Sequence, residues 1–315
     1  MSRNMIRNIF KKIFHIFNAI IRRSRWFNDI LFQDCRKLII HSTFNLDVVN
    51  LGSTSGVYAF NYEGMNIKAA NWALSCNPLV CDEEVLKNYV SYLKPEGTIV
   101  ILSLCVFSAL SGRYDCFEDR YYAILYPSSI PNFSKRKQNE VMARYNRPLL
   151  YMPLYNMVKE FWYLLKRPFI KGEKILSEEQ LQKDAQRWFD GWLKEFNVND
   201  FSLPLSLVNQ DSVLDAAYHL NKIITFCKEH NATPVMVLPP MYHTLAEKFS
   251  IKAREILLDS LFAQIDDQSV RFINYMDDSE FSNDRTFFLD SFLLNQIGAK
   301  AFTKKVLTDI GIMRN

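Results

Sequence analysis

The chain has 315 residues, 49% apolar and 23% charged, with 9 glycines, enough for one large α/β domain with an insertion or for two domains. No segment is of low complexity, which excludes collagen-like, solenoid and largely disordered chains. The net charge is +4, but residues 1–28 hold seven basic side chains and no acid, so the rest sums to −3 and offers no basic surface for nucleic acid. The six cysteines, at 35, 76, 81, 105, 116 and 227, form no CxxC pair and have no His at ligand spacing. Neither a metal site nor a disulfide framework is expected, nor a cofactor, and the usage suits a reducing, cytoplasmic compartment.

In "MIRNIFKKIFHIFNAIIRR" the apolar residues Met5, Ile6, Ile9, Phe10, Ile13, Phe14, Ile16, Phe17, Ile20 and Ile21 recur at the spacing of one helix face. Charges at 11, 12, 22 and 23 limit the apolar stretch to about ten residues, against about 20 for a membrane span. "RRSRWF" is a poor signal-cleavage site. Residues 1–28 therefore read as a basic amphipathic helix. Two roles fit it: residues 3–25 lie on an anionic membrane surface, making the protein peripheral at the inner face of the cell membrane, or the stripe packs on the protein's own body or a second subunit.

A linker-like turn near His41 leads to "LDVVNLG" (46–52), a short apolar run ending at Gly as a buried parallel strand does. "MNIKAANWALS" (65–75) reads as a second short strand with its loop, and "DEEVLKNYVSYLKPEG" (82–97) as a helix with acids in its first turn. "TIVILSLCVF" (98–107) is the most strongly buried strand and carries Cys105 into the core. From 108 to 210 the pattern gives way to aromatic-rich helical stretches, read as a helical insertion. Alternation resumes with a helix over 212–231, a strand over 233–240, a helix over 244–265, a fifth strand over 269–276 and a helix over 295–311. Such alternation requires right-handed parallel crossovers, hence a three-layer α/β/α sandwich with a central parallel sheet of about five strands, formed by 42–107 and 211–315. Ligands of these sheets sit at the strands' carboxyl ends, which predicts that Gly52–Gly56, Asn71, Ser103, Pro239–His243 and the 284–295 loop converge on one rim.

Those segments, in that order, resemble the SGNH (GDSL-like) hydrolase superfamily, in particular its branch linked to bacterial surface-polysaccharide and teichoic-acid modification, over about 46–107 and 212–311. In that family a first strand ends in Gly-x-Ser, the Ser being the nucleophile, and a late Asp-x-x-His precedes Leu-Asn and a Gly-Ala helix start. "NLGSTSG" supplies the first motif and "LDSFLLNQIGAKAFT" the last. Laid residue by residue, the nucleophile position is Thr54 and the imidazole position, three after Asp290, is Leu293. An alcohol is a weak nucleophile at neutral pH and needs a base to take its proton, which leucine cannot do. The family's oxyanion-hole block falls on "NWALS", with Ala73 and Ser75, and its Gly-x-Asn-Asp block has no counterpart in "ILSLCVF".

The resemblance implies a catalytic set of Thr54 or Ser53, Asp290 and, as a displaced base, His243; Gly52, Ser55, Asn71, Ser75 and Asn295 would line the substrate. His219 and His230 are expected to face outward. Plainer roles compete: the Ser-Thr-Ser turn and Asp290 as helix caps, His243 as an ordinary helix N-terminal residue. In the insertion Tyr151, Tyr155, Phe161, Trp162, Tyr163, Trp188 and Trp192 lie among Lys135, Arg136, Lys137, Arg144, Arg147, Lys166 and Arg167. That mixture suits a glycan, a lipid-linked saccharide or a membrane surface, or else a small helical core with a solvated side. The expectation is a catalytically altered or inactive esterase or acyltransferase relative, a pseudoenzyme of bacterial surface-polysaccharide biosynthesis that binds a glycan or a partner. The alternative is an active ester hydrolase or O-acyltransferase that uses Thr54 or Ser53.

Overall fold

Val48 to Gly52 is apolar except at Asn50, and all five residues are buried, as a strand covered on both faces requires. The computed structural model describes residues 3–27, 32, 34–40, 43–111, 117–166 and 175–313; the turn expected near His41, the side chain of Phe161 and Arg167 lie outside this set. Five strands, β1 (Val48–Gly52), β2 (Ala69–Asn71), β3 (Ile99–Ser103), β4 (Thr233–Leu238) and β5 (Arg271–Asn274), form one sheet in the order β2-β1-β3-β4-β5. Every pairing is parallel, and β1 runs beside β3 from Val48 opposite Ile99 to Gly52 opposite Ser103. This is a common doubly wound order, whose switch point lies between β1 and β3.

Alternate side chains point to opposite faces of the sheet. Val48, Ile101, Val235 and Val237 join a core with Phe302, Val306 and Leu307 of helix Gln296–Asp309. Helices Leu79–Tyr89 and Leu207–Glu229 pack on each other and against β1 and β4, respectively. The chain is thus the α/β/α sandwich that strand and helix alternation demands. Between those two helices Glu83, 2% exposed, accepts hydrogen bonds from Lys87, from Lys222 at 2.9 Å and from His219 Nδ1 at 2.7 Å. Burial alone would raise the Glu83 pKa, but these three partners outweigh it and hold it down at about 2. His219 therefore turns inward, against expectation, because a buried carboxylate needs partners; His230 is exposed and stacks on Phe226.

Several helices differ in extent from the sequence reading: that expected over 1–28 runs Arg3–Ile21, and that expected over 212–231 runs Leu207–Glu229. The one expected from 82 starts at Leu79, with Pro78 at its N-cap, and ends at Tyr89 before a short 3₁₀ turn. The one expected over 244–265 is broken into His243–Ala246, Ile251–Arg254, a π segment at Glu255–Asp259 and Ser260–Phe262. The restart has a local cause, since the Ser250 side chain accepts from the Ala253 N–H and caps a new helix.

Two compact units divide the chain, 1–41 with 116–172 and 42–115 with 173–315. The span read as one helical insertion is shared between them: helices Lys135–Asn146 and Leu154–Lys166 belong to the first unit, helix Glu178–Glu195 to the α/β unit. Inside the first unit, Asn18 of helix Arg3–Ile21 accepts from the Leu149 N–H at 3.1 Å, Glu160 accepts from the Trp26 N–H at 3.0 Å, and Phe27, Phe32 and Tyr145 stack together. Among the described residues no helix is long and apolar enough to cross a membrane.

Candidate functional site

Gly52 ends β1 at φ +131°, and a Cβ there would lie 2.4 Å from the Ser103 carbonyl oxygen. Only glycine tolerates both the conformation and the contact, so the chain turns sharply at the switch point into helix Thr54–Ala59. Ser53 is the N-cap residue, yet its side chain does not cap that helix. Its hydroxyl accepts from the Asn77 N–H at 3.2 Å, and the Thr54 hydroxyl accepts from the Cys76 N–H at 3.1 Å. The turn is thereby tied to the loop after β2, which holds the half-buried Ser75. Ser55 is buried with its hydroxyl 2.9 Å from the Cys105 thiol; burial pushes that thiol up to about 11, so it stays protonated at neutral pH.

Asn71 is engaged on every side. Its amide donates to the carbonyls of Gly56, Val57 and Phe60, and its oxygen accepts from Asn50 and from the Ala73 N–H. Asp82 supports the same turn, accepting from the Gly52 N–H at 3.0 Å and the Asn77 amide at 2.7 Å. At the other motif, Asp290 accepts from the backbone N–H groups of Phe292 and Leu293 at 2.9 and 2.8 Å. Burial raises its pKa, with the Asp184 carboxylate adding to the effect, and outweighs those two hydrogen bonds. Asn295 caps helix Gln296–Asp309 through the N–H groups of Ile297 and Gly298 and donates to the carbonyls of Thr286 and Phe288. His243 lies 3.5 Å from Glu178 and 3.4 Å from Glu247.

Of the segments expected to converge, Ser55, Pro239–Met241, Phe292 and Leu294 come together, whereas Thr54, Asn71, Ser103, His243 and Asp290 are not among the residues that line the shared cavity. Ser55, Leu104, Cys105, the run Leu238–Met241, Phe292 and Leu294 surround one cavity at the carboxyl ends of β1, β3 and β4. Its volume is about 10 Å³, the size of a single water. Leu293, at the position of the expected imidazole, is 6% exposed. Phe292 packs against Trp192 at 4.9 Å and Trp188 at 5.3 Å, and Trp192 against Phe107 at 4.5 Å. Helix Glu178–Glu195 supplies both tryptophans, and Asp184 fastens it to the loop by accepting from the Ser291 N–H and hydroxyl at 3.0 and 2.7 Å. Sequence reasoning put Trp188 and Trp192 in the insertion and missed this cover; the signal was their four-residue spacing, which aims both from one helix face.

The Ser53 and Thr54 hydroxyls are held by backbone amides, Asp290 by its own loop, and His243 sits among carboxylates. Elsewhere on the α/β unit an open groove of about 830 Å³ runs between 61–66 and helix Gln296–Asp309, lined by Asn61, Glu63, Asn66, Gln296, Lys300 and Lys304 among apolar neighbours.

Fold and strand order define an α/β/α protein with a doubly wound parallel sheet. No family model and no curated protein matches the chain. Among solved structures it is similar to one from Streptococcus pneumonia described provisionally as a platelet activating factor, at 10% identity over 98% of this chain and 99% of that one. The TM-score of 0.40 is too loose a likeness to bear on function.

Proposed function

We propose that the α/β unit is a non-hydrolytic relative of the SGNH hydrolases that holds an acidic saccharide of bacterial surface-polysaccharide biosynthesis and cleaves no ester. The observation that carries this reading is the packing beside the turn: the recess lined by Ser55, Phe292, Leu294 and the Leu238–Met241 run is only about 10 Å³. Leu293 at the imidazole position acts in the same direction, since it cannot take a hydroxyl proton. For binding, the groove at 61–66 and 296–304 offers amide groups, two ammonium groups against the single carboxylate of Glu63, and apolar side chains within about 830 Å³, a lining that suits the hydroxyls, carboxylates and ring faces of a charged sugar.

Two measurements on the full chain test the proposal. A serine-directed fluorophosphonate probe should leave the protein unlabelled; labelling lost in Ser53→Ala or Thr54→Ala would establish an active nucleophile and end the non-hydrolytic reading. Titration with a glucuronate-containing oligosaccharide should broaden its NMR signals, and the broadening should disappear in the Lys300→Ala/Lys304→Ala variant. Unchanged signals with the native chain would remove the saccharide from the proposal.

A further inference from the structure

The first unit has an uncovered apolar face that the saccharide reading does not use. Among its described side chains, helix Arg3–Ile21 buries Asn18 and Ile21 and half-buries Phe14. Ile9, Ile13, Ile16, Phe17 and Ile20 remain exposed. From the same unit, Leu150, Tyr151, Leu154, Tyr155, Val158 and Trp162 are exposed as well, Leu154 at 79%. The two stretches are joined: Leu149 donates to Asn18, Arg22 donates to the Asn146 carbonyl, and Leu149 shares a recess of about 490 Å³ with Arg7, Lys11, Ile13, Phe14, His15 and Phe17. Monomeric proteins rarely expose so much contiguous apolar surface without a partner for it.

Charge selects the partner. The unit carries 19 basic and 6 acidic side chains, a net charge of +13. Helix Arg3–Ile21 has no acid, and the single acid of helix Leu154–Lys166, Glu160, is turned to the Trp26 N–H. A second copy of the chain would bring two strongly positive faces together, and a nucleic acid would leave the isoleucines and aromatics in water. An anionic bilayer surface takes both, apolar side chains into the acyl boundary and lysine and arginine at the headgroups.

We propose that helix Arg3–Ile21 and residues 150–162 form one composite docking face for an anionic lipid bilayer. The helix lies in the interface, since it is too short of apolar residues to cross, and the second helix contributes as a neighbouring wedge through Leu154, Val158 and Trp162.

The test is flotation of the full chain with vesicles of phosphatidylcholine and phosphatidylglycerol in equal parts, against phosphatidylcholine alone. The protein should float with the anionic vesicles, sediment with the neutral ones, and be released by high salt. Ile13→Asp/Phe17→Asp and, separately, Leu154→Asp/Val158→Asp should each weaken binding by about tenfold or more; all four positions are solvent-exposed, and circular dichroism checks that each variant is folded. No flotation, or equal flotation with neutral vesicles, overturns the proposal. Native-like flotation of Leu154→Asp/Val158→Asp overturns the composite face. A dimer in sedimentation equilibrium that both variants dissolve, without flotation of the native chain, would assign the face to a second copy instead.

Discussion

Trp192 and Trp162 stand in helices of similar make, aromatic on one side and charged on the other, yet Trp192 is 3% exposed and Trp162 57%. The difference extends to the units that hold them. The α/β unit has 19 basic and 28 acidic side chains, net −9 against +13 for the first unit, and it packs Trp188, Trp192, Phe107 and Phe292 against one another. The first unit leaves its aromatics and isoleucines outside. The same local pattern therefore yields a packed cluster in one place and an uncovered face in the other, and what decides is whether an apolar partner such as Phe107 or Phe292 waits opposite.

That contrast can be broken at its strongest point. Trp192→Ala should destabilise the protein by about 3–5 kcal/mol in denaturant unfolding, as a buried aromatic truncation does, while Trp162→Ala should stay within about 0.5 kcal/mol. Similar costs for the two would mean that the rim is not packed as a core. Next in size is the acid limb of stability. Glu83 has a folded pKa of about 2, below its unfolded value of about 4.3. Its contribution is present above the unfolded value, amounts to roughly 3 kcal/mol, and is lost as pH falls through the folded one. Glu83→Gln should flatten that limb; an unchanged limb would place the acid sensitivity elsewhere.

Smaller effects sharpen the picture of the rim. Asp290→Asn should cost less than about 1 kcal/mol, because an amide oxygen can accept from the same two N–H groups without a buried charge. A large loss would show that the ionised carboxylate has a partner of its own. Smallest is Ser103→Ala. The Ser103 hydroxyl is 4% exposed and has no hydrogen-bond partner among the described residues, so its removal should leave stability unchanged or raise it by up to about 1 kcal/mol; destabilisation would reveal a bonded role for it.

Much of the framework was legible in the sequence because its signals are local. The apolar runs at 48–52, 99–103 and 233–238 are strands by composition alone, and Gly52 marks the end of β1. The meeting of Ser55 with Phe292 and Leu294 followed from topology. What stayed hidden depends on distant partners. Nothing near His219 in the chain announces Glu83, and the spacing in "QRWFDGW" puts Trp188 and Trp192 on one helix face without naming Phe292 as what they cover or telling why Tyr155 and Trp162 stay exposed. The break at Ser250 lay within reach of capping rules but was masked by continuous apolar periodicity on both sides.

Steady-state hydrolysis of p-nitrophenyl acetate by the full chain tests the non-hydrolytic reading most directly. Turnover should equal that of buffer, and should remain there in Ser53→Ala and Thr54→Ala. Turnover well above buffer that either substitution abolishes would contradict the account, for it would establish a working nucleophile at a turn whose imidazole position is occupied by Leu293.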